Sequence, residues 1–92
     1  MTLFEQLGNI GSEVSRTRLA QYKDGERFEK AVDRALELFD LTLSDPRWHG
    51  RLKEIGRARE VFCDAVYGGK EYGSSLADLQ SYFDHFAIAA RR

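Results

Sequence analysis

Two arginines interrupt the apolar stripes of predicted helices, where a guanidinium needs a carboxylate, a carbonyl or water as a partner. Arg18 continues the stripe of the first helix, and Arg59 lies near the middle of the stripe of the third. A salt bridge that fixes helix register is the favoured interpretation. Snorkelling to solvent and contact with a ligand or phosphate stay open as alternatives. The candidate carboxylate partners are Asp33, Asp40, Glu29 and Glu13.

The placement of Arg59 among apolar residues of the third helix predicts a measurable cost of removing it. If the guanidinium is tied to a carboxylate inside the bundle, Arg59→Ala leaves a buried charge without a partner, and stability falls by roughly 3–5 kcal/mol. Arg18 carries the same prediction with less force because it lies nearer a helix end.

A glycine-rich loop follows the third predicted helix and holds three larger side chains, Lys70, Glu71 and Tyr72. A phosphate-binding loop places its lysine at the start of a helix and follows a strand. Here a helix comes first, so a helix C-cap followed by a turn is the favoured interpretation. Because loops held by rigid helices often carry contacts, these three residues are candidate interaction residues.

The residue patterns predict no catalytic residue, no metal site and no cofactor. His49 and His85 each lack a second histidine one helical turn away, and the carboxylate–histidine spacing of a di-iron bundle does not occur. Cys63 is the single cysteine, and its position near the apolar stripe favours a packed thiol over a nucleophile. These patterns favour a non-enzymatic protein.

Charge and hydropathy limit the expected partners. The 92 residues carry a net charge of -1, so no overall positive field would recruit nucleic acid. Basic residues of 47–59 are spread around their helix and interleaved with Glu54 and Glu60, which favours a solvated face with ion pairs. No apolar run approaches the roughly 18 residues of a membrane span. The first residues also lack a basic signal region. We therefore expect a cytoplasmic protein that neither enters a membrane nor binds nucleic acid.

Apolar residues recur at helical spacing in four stretches, and no strand alternation competes with them. Helices are predicted over 2–22, 26–43 and 46–67, with a fourth starting near residue 75. Thr2 with Glu5 fits a capping box, and Asp45 with Pro46 suits the N-cap and first position of a helix. Short connections favour antiparallel neighbours. The expected fold is all-α, a single four-helix up-down-up-down bundle over 1–92.

The clearest inner face belongs to the second helix. Its predicted core residues are Phe28, Val32, Ala35, Phe39 and Thr42, flanked by Ala31, Leu36, Leu38 and Leu43. On the first helix, Gly8, Gly11 and Ser15 form a line of small residues. Glycine costs about 1 kcal/mol of helix stability relative to alanine. The line therefore predicts the close approach of another helix.

Segments 34–42, 59–64 and 71–76 resemble a small family of prokaryotic helical-bundle proteins, and the likeness extends to 45–48. At the level of the fold such proteins are similar to HEPN and nucleotidyltransferase substrate-binding bundles. HEPN ribonucleases carry an arginine followed about one helical turn later by a histidine. Here His49 follows Arg47 too closely, and no arginine lies shortly before His85. The resemblance therefore implies a bundle without ribonuclease activity.

The expected function is a non-enzymatic protein-interaction module that self-associates as a homodimer. Leu41 and Ile88 fall off the inner stripes and suggest leftover apolar surface, and the small-residue line favours helices 1 and 4 as the dimer face. The alternative is a HEPN-like partner or substrate-binding subunit of a nucleotidyltransferase that contacts nucleotide or RNA.

Overall fold

The computed structural model describes residues 2–68 and 76–90, without the side chains of Leu3, Trp48, His49 and 86–90. Within these residues the chain forms four α-helices and no strand, which confirms the predicted all-α class. The helices are α1 (Leu3–Ala20), α2 (Gly25–Leu43), α3 (Leu52–Tyr67) and α4 (Leu76–Ala90). A 3₁₀ segment, Pro46–Arg51, precedes α3.

Side-chain caps set where the helices begin. The hydroxyl of Thr2 accepts a hydrogen bond from the Glu5 backbone N–H at 3.1 Å, and the Glu5 carboxylate accepts one from the Thr2 N–H at 3.1 Å. This reciprocal pair confirms the predicted capping box. Asp45 accepts from the Arg47 backbone N–H at 3.0 Å, and Pro46 follows as the first helical residue, as predicted. These caps satisfy N–H groups that have no partner within the helix.

Two helix boundaries differ from the prediction. The first helix ends at Ala20, and the chain turns through 21–23 with Tyr22 at a φ of 66°. The predicted third helix begins with six residues of 3₁₀ geometry before α3 starts at Leu52. A 3₁₀ turn is common at a helix N-terminus, and Gly50 weakens the case for α-helix here.

The core is built around α2 and confirms the predicted inner face. Val32, Ala35, Phe39 and Thr42 are buried as predicted, and so is the flanking Ala31, whereas Phe28, Leu36, Leu38 and Leu43 are partly buried. The ring of Phe39 lies 5.8 Å from Phe62 of α3 and 5.7 Å from Phe83 of α4, measured between ring centroids. Three helices therefore meet at one aromatic cluster, where edge-on contacts add to the burial of apolar area.

Helix α1 packs closely against α4, and Gly11 makes this contact possible. Gly11 is buried, and a β-carbon placed on it would lie 2.7 Å from Cβ of Phe83. The predicted close approach of a second helix is therefore confirmed at Gly11. The contact is within one chain, so this part of the small-residue line is not free to form a dimer face. Ile88, the other residue that favoured that face, has a side chain outside the described residues.

Each helix contacts the next one along the chain, and α4 contacts α1. The most extensive contact joins α1 to α4, followed by α1 to α2, and smaller contacts join α2 to α3 and α3 to α4. Helix α1 therefore lies between α2 and α4, and its remaining side faces outward.

Candidate interaction surface

Arg59 pairs with Asp40 at the edge of the core. The Nε of Arg59 donates to Oδ1 of Asp40 at 2.9 Å, and the two side chains are 34% and 61% exposed. The expected carboxylate partner is present, but the pair is not buried inside the bundle. The buried stripe of α3 runs through Ile55, Ala58 and Phe62. Arg59 follows Ala58 by one residue and therefore lies beside this stripe.

Arg18 is exposed, and its partner is an amide. Its Nη1 donates to the Oε1 of Gln80 on α4 at 3.1 Å. The buried stripe of α1 continues from Val14 through Thr17 to Ala20, with spacings of three residues that leave Arg18 outside it. The prediction placed Arg18 on the inner face because it continued the stripe from Val14 at a spacing of four residues instead of three.

The predicted site residues Arg18, Arg59, Asp40, Asp33, Lys70, Glu71 and Tyr72 do not form one cluster. Arg59 and Asp40 meet across α2 and α3, whereas Arg18 lies on the side of α1 that contacts α4. Asp33 is exposed on α2. Lys70, Glu71 and Tyr72 lie outside the described residues.

A concave surface of about 600 Å³ lies between α1 and α2 near the turn that joins them. We call it the α1–α2 groove. Its lining residues are Glu13, Arg16, Leu19, Ala20, Lys23, Asp24, Arg27, Lys30 and Ala31. Alanines from both helices lie in the lining, so the helix backbones are not covered by long side chains there. The groove therefore combines an apolar base with a rim of long charged side chains.

Basic residues outnumber acidic ones in the α1–α2 groove. Four lining residues are cationic, whereas two, Glu13 and Asp24, are acidic. Glu13 is nearly buried and pairs with the exposed Arg16. Asp24 caps α2 and lies 3.5 Å from Arg27.

The other two cations of the groove differ in their pairing. Lys30 pairs with Glu26 at 3.1 Å, with both side chains largely exposed. Lys23 has no ion pair within the described part of the chain. When Glu26 is counted with the lining residues, four cations face three carboxylates, so the groove carries a small net positive charge.

Two large apolar side chains are exposed in or beside the groove. Leu19 lines the groove and is 66% exposed. Tyr22 does not line it but lies in the turn between the lining residues Ala20 and Lys23, and it is 98% exposed. Tyr22 adopts a left-handed backbone conformation that costs a bulky residue on the order of 1 kcal/mol. The turn that holds it is closed by the N–H groups of Lys23 and Asp24, which both donate to the Ala20 carbonyl at 3.0 Å. A rigid turn thus presents the aromatic ring to solvent.

The pattern of apolar stripes does not identify Leu19 and Tyr22, because neither side chain faces the core. A local signal was present in the sequence, since Leu19 lies off the stripe and between the cations Arg16 and Lys23. The groove itself arises only when α1 and α2 are brought together, which no local pattern indicates.

A second polar cluster joins α3 to α4. The hydroxyl of Tyr82 donates to the Glu54 carboxylate, which also accepts from Arg51 at 3.2 Å. Burial and then this hydrogen bond raise the pKa of Tyr82 well above its usual range. The same hydrogen bond is the largest cause that lowers the pKa of Glu54. Both pKa values are therefore further from neutral pH than usual. This favours a structural hydrogen bond over a pair that transfers a proton at neutral pH.

Asp45 links the start of α1 to the end of α2. Its carboxylate accepts hydrogen bonds from the Arg47 side chain, from the Gln6 amide at 2.9 Å, and from the Arg47 backbone N–H. These bonds, with the Arg47 side chain first, hold the pKa of Asp45 far below its usual range. Asp45 is therefore ionised at any physiological pH.

The described residues hold neither a metal-binding cluster nor a membrane-spanning helix. No three His, Cys, Asp or Glu side chains there are grouped to hold a metal ion. None of the described helices combines the length and apolar character needed to cross a bilayer.

Comparisons of the chain with protein-family models, curated proteins and solved structures give no match. The α1–α2 groove is therefore interpreted from its own chemistry.

Proposed function

We propose that the protein is a non-enzymatic interaction module whose contact surface is the α1–α2 groove. The observation that carries the proposal is the exposure of Leu19 and Tyr22 beside a concave surface rich in cations. Interfaces commonly place aromatic and aliphatic anchors at their centre and charged residues at the rim. The groove has this composition.

Exposed apolar area at the groove does not stabilise the isolated chain, but it would stabilise a complex in which a partner covers it. Removing the exposed Leu19 side chain from water would contribute roughly 1–2 kcal/mol to an interface. The turn already fixes the backbone at Tyr22, so a partner that covers the ring has to order only its side chain. The surplus of cations would speed the encounter with an acidic partner and weaken at high salt.

The helix arrangement that supports this surface is, in the proposal, an up-down-up-down bundle. The Gln6–Asp45 hydrogen bond brings the start of α1 to the end of α2. Along α1 and α4, Gly11 lies beside Phe83 and Arg18 meets Gln80, so the residue numbers run in opposite directions. Both pairings favour antiparallel neighbours. We also propose a cytoplasmic location and self-association as a homodimer.

A comparison of two matched variants tests the proposed surface. Leu19→Ser removes the apolar anchor of the groove, and Tyr67→Ser removes a residue of similar exposure, 69%, at the end of α3. The immobilised chain is incubated with source-cell lysate and with a differently tagged copy of itself. We expect wild type and Tyr67→Ser to retain the same protein, and Leu19→Ser to bind it about tenfold more weakly. Equal retention by all three chains would reject the groove as the contact surface.

A second candidate function is the HEPN-like subunit that contacts nucleotide or RNA. The observation in its favour is the set of four cations in the groove, Arg16, Lys23, Arg27 and Lys30, because phosphates bind to such clusters. Fluorescence anisotropy with labelled single-stranded RNA distinguishes the two candidates. Binding that weakens steeply with salt and is lost in Lys23→Glu would favour the RNA candidate, whereas the interaction module predicts no such binding.

A further inference from the structure

The two flanks of α2 carry opposite charge. One flank contributes Arg27 and Lys30 to the α1–α2 groove. The other flank carries an acidic stripe, which we define as Glu29, Asp33, Glu37 and Asp40, and all four residues are exposed. At 3.6 residues per turn these four positions lie within about a quarter of the helix circumference. The chain therefore carries, side by side, a basic groove and an acidic surface that complements it.

The charges of the acidic stripe are only partly used within the chain. Glu37 pairs with Arg34 at 3.0 Å, and Asp40 pairs with Arg59 at 2.9 Å. For Glu29 and Asp33 the described residues supply no ion pair. The stripe thus has uncompensated carboxylates at the same height along α2 as Arg27 and Lys30 of the groove.

From this charge pattern we infer that a second copy of the chain occupies the α1–α2 groove and presents its acidic stripe. The inference rests on the proposed function and names its partner. A two-fold axis parallel to α2 places the acidic stripe of each protomer against the groove of the other, so the interface forms twice. An axis perpendicular to α2 in the same plane would instead set groove against groove. Charge complementarity therefore selects the parallel arrangement.

Leu41 lies on the basic flank of α2 and is 60% exposed. At 100° per residue it falls between Lys30 and Arg34, so a partner that covers this flank removes its side chain from water. Arg34 lies beside it, and its pairing with Glu37 on the same helix limits repulsion between the two copies.

The size of α2 is sufficient for such a pair. Its 19 residues span roughly 28 Å at 1.5 Å per residue. An interface of about 1,000 Å² in total is the lower limit for a specific complex. A contact along one helix is near this lower limit, and we therefore expect a weak dimer that dissociates in the micromolar range.

Charge reversal followed by mixing tests the arrangement. Glu29→Lys with Asp33→Lys makes the acidic stripe basic, and Lys23→Glu with Lys30→Glu makes the groove acidic. Each double variant then repels its own copy at both contacts, whereas a mixture restores attraction at both. We expect wild type at near-millimolar concentration, well above its dissociation range, to have the mass of two chains. Each variant alone should have the mass of one chain, with dissociation at least tenfold more favourable, and the mixture should form the heterodimer by native mass spectrometry.

Three results would overturn the inference: a wild-type mass of one chain, a variant that stays dimeric, or a mixture that stays monomeric. We expect each variant to fold because all substituted residues are exposed, and circular dichroism checks this. If a variant fails to fold, the wild-type dimer must still dissociate as salt is raised, and a salt-independent mass rejects the charge-based pairing. A monomeric wild type that still binds another protein through Leu19 would reject the second copy as partner and leave the proposed function standing.

Discussion

Single residues show how burial decides the value of a charge. Arg59 has the carboxylate partner that its position in the sequence suggested, yet both side chains of the pair reach solvent. Water screens such a pair and competes for its hydrogen bonds. The same reasoning applies to Arg18, whose partner is the neutral amide of Gln80. Neither arginine is buried without compensation.

At this scale we predict a small effect of Arg59→Ala. Because the pair with Asp40 is partly exposed, the free energy of unfolding should fall by about 1 kcal/mol or less, in place of the 3–5 kcal/mol expected for a buried charge. Urea unfolding of wild type and Arg59→Ala measures the difference, with Asp40→Asn as the matched control. A loss above about 2 kcal/mol would show that the pair is desolvated in solution.

The ionised carboxylate of Asp45 predicts an acid-dependent loss of stability. Its pKa is lowered in the folded chain relative to the unfolded chain, chiefly by the Arg47 side chain. The stabilisation is therefore fully present above the unfolded pKa of about 4 and is lost as the pH falls toward the folded pKa. Thermal melting from neutral pH to pH 2 should show a decline below pH 4 that is weaker in Asp45→Asn. Identical acid profiles for the two chains would contradict this assignment.

At the scale of helices, the apolar period of α2 predicts its buried face correctly. The pattern succeeds there because both flanks are charged and the inner face is continuous from Phe28 to Thr42. It fails at the C-terminal end of α1, where a shift of one residue decides whether Arg18 or Thr17 is buried. On α3 it places Arg59 within the apolar stripe, whereas Arg59 lies beside that stripe. Periodicity locates a stripe to within one or two residues, and that margin is the difference between core and surface.

Two glycine substitutions, one at the contact between α1 and α4 and one in open space on α3, should have opposite effects on stability. Gly11→Ala places a methyl group 2.7 Å from Cβ of Phe83, so the helices must move apart, and we expect a loss of about 1–3 kcal/mol. Gly56→Ala, within α3, meets no atom within 4 Å and should stabilise by roughly 0.5–1 kcal/mol through helix propensity. Chemical denaturation measures both. Stabilisation by Gly11→Ala would mean that α1 and α4 are not in close contact.

At the scale of the whole molecule, the candidate surface depends on how helices meet. The sequence predicts the four helices, most of their caps and the core face of α2, because these follow from neighbouring residues. The α1–α2 groove combines residues 13–20 of one helix with 23–31 of the turn and the next helix. Its basic rim and exposed Leu19 become a surface only after folding. The sequence therefore predicted the all-α class, whereas the two arginines that it singled out, Arg18 and Arg59, do not line the groove.

The proposed contacts of the chain are made through the α1–α2 groove and, across the two-fold axis, the acidic stripe. A dilution series of ¹⁵N-labelled protein from millimolar to micromolar concentration, followed by amide chemical shifts, tests them. We expect concentration-dependent shifts confined to residues 16–41, strongest near Leu19, Lys30, Asp33 and Leu41, and reduced in Leu19→Ser. Spectra that do not change with concentration, or shifts that cluster on α3 and α4 instead, would contradict the proposed contacts.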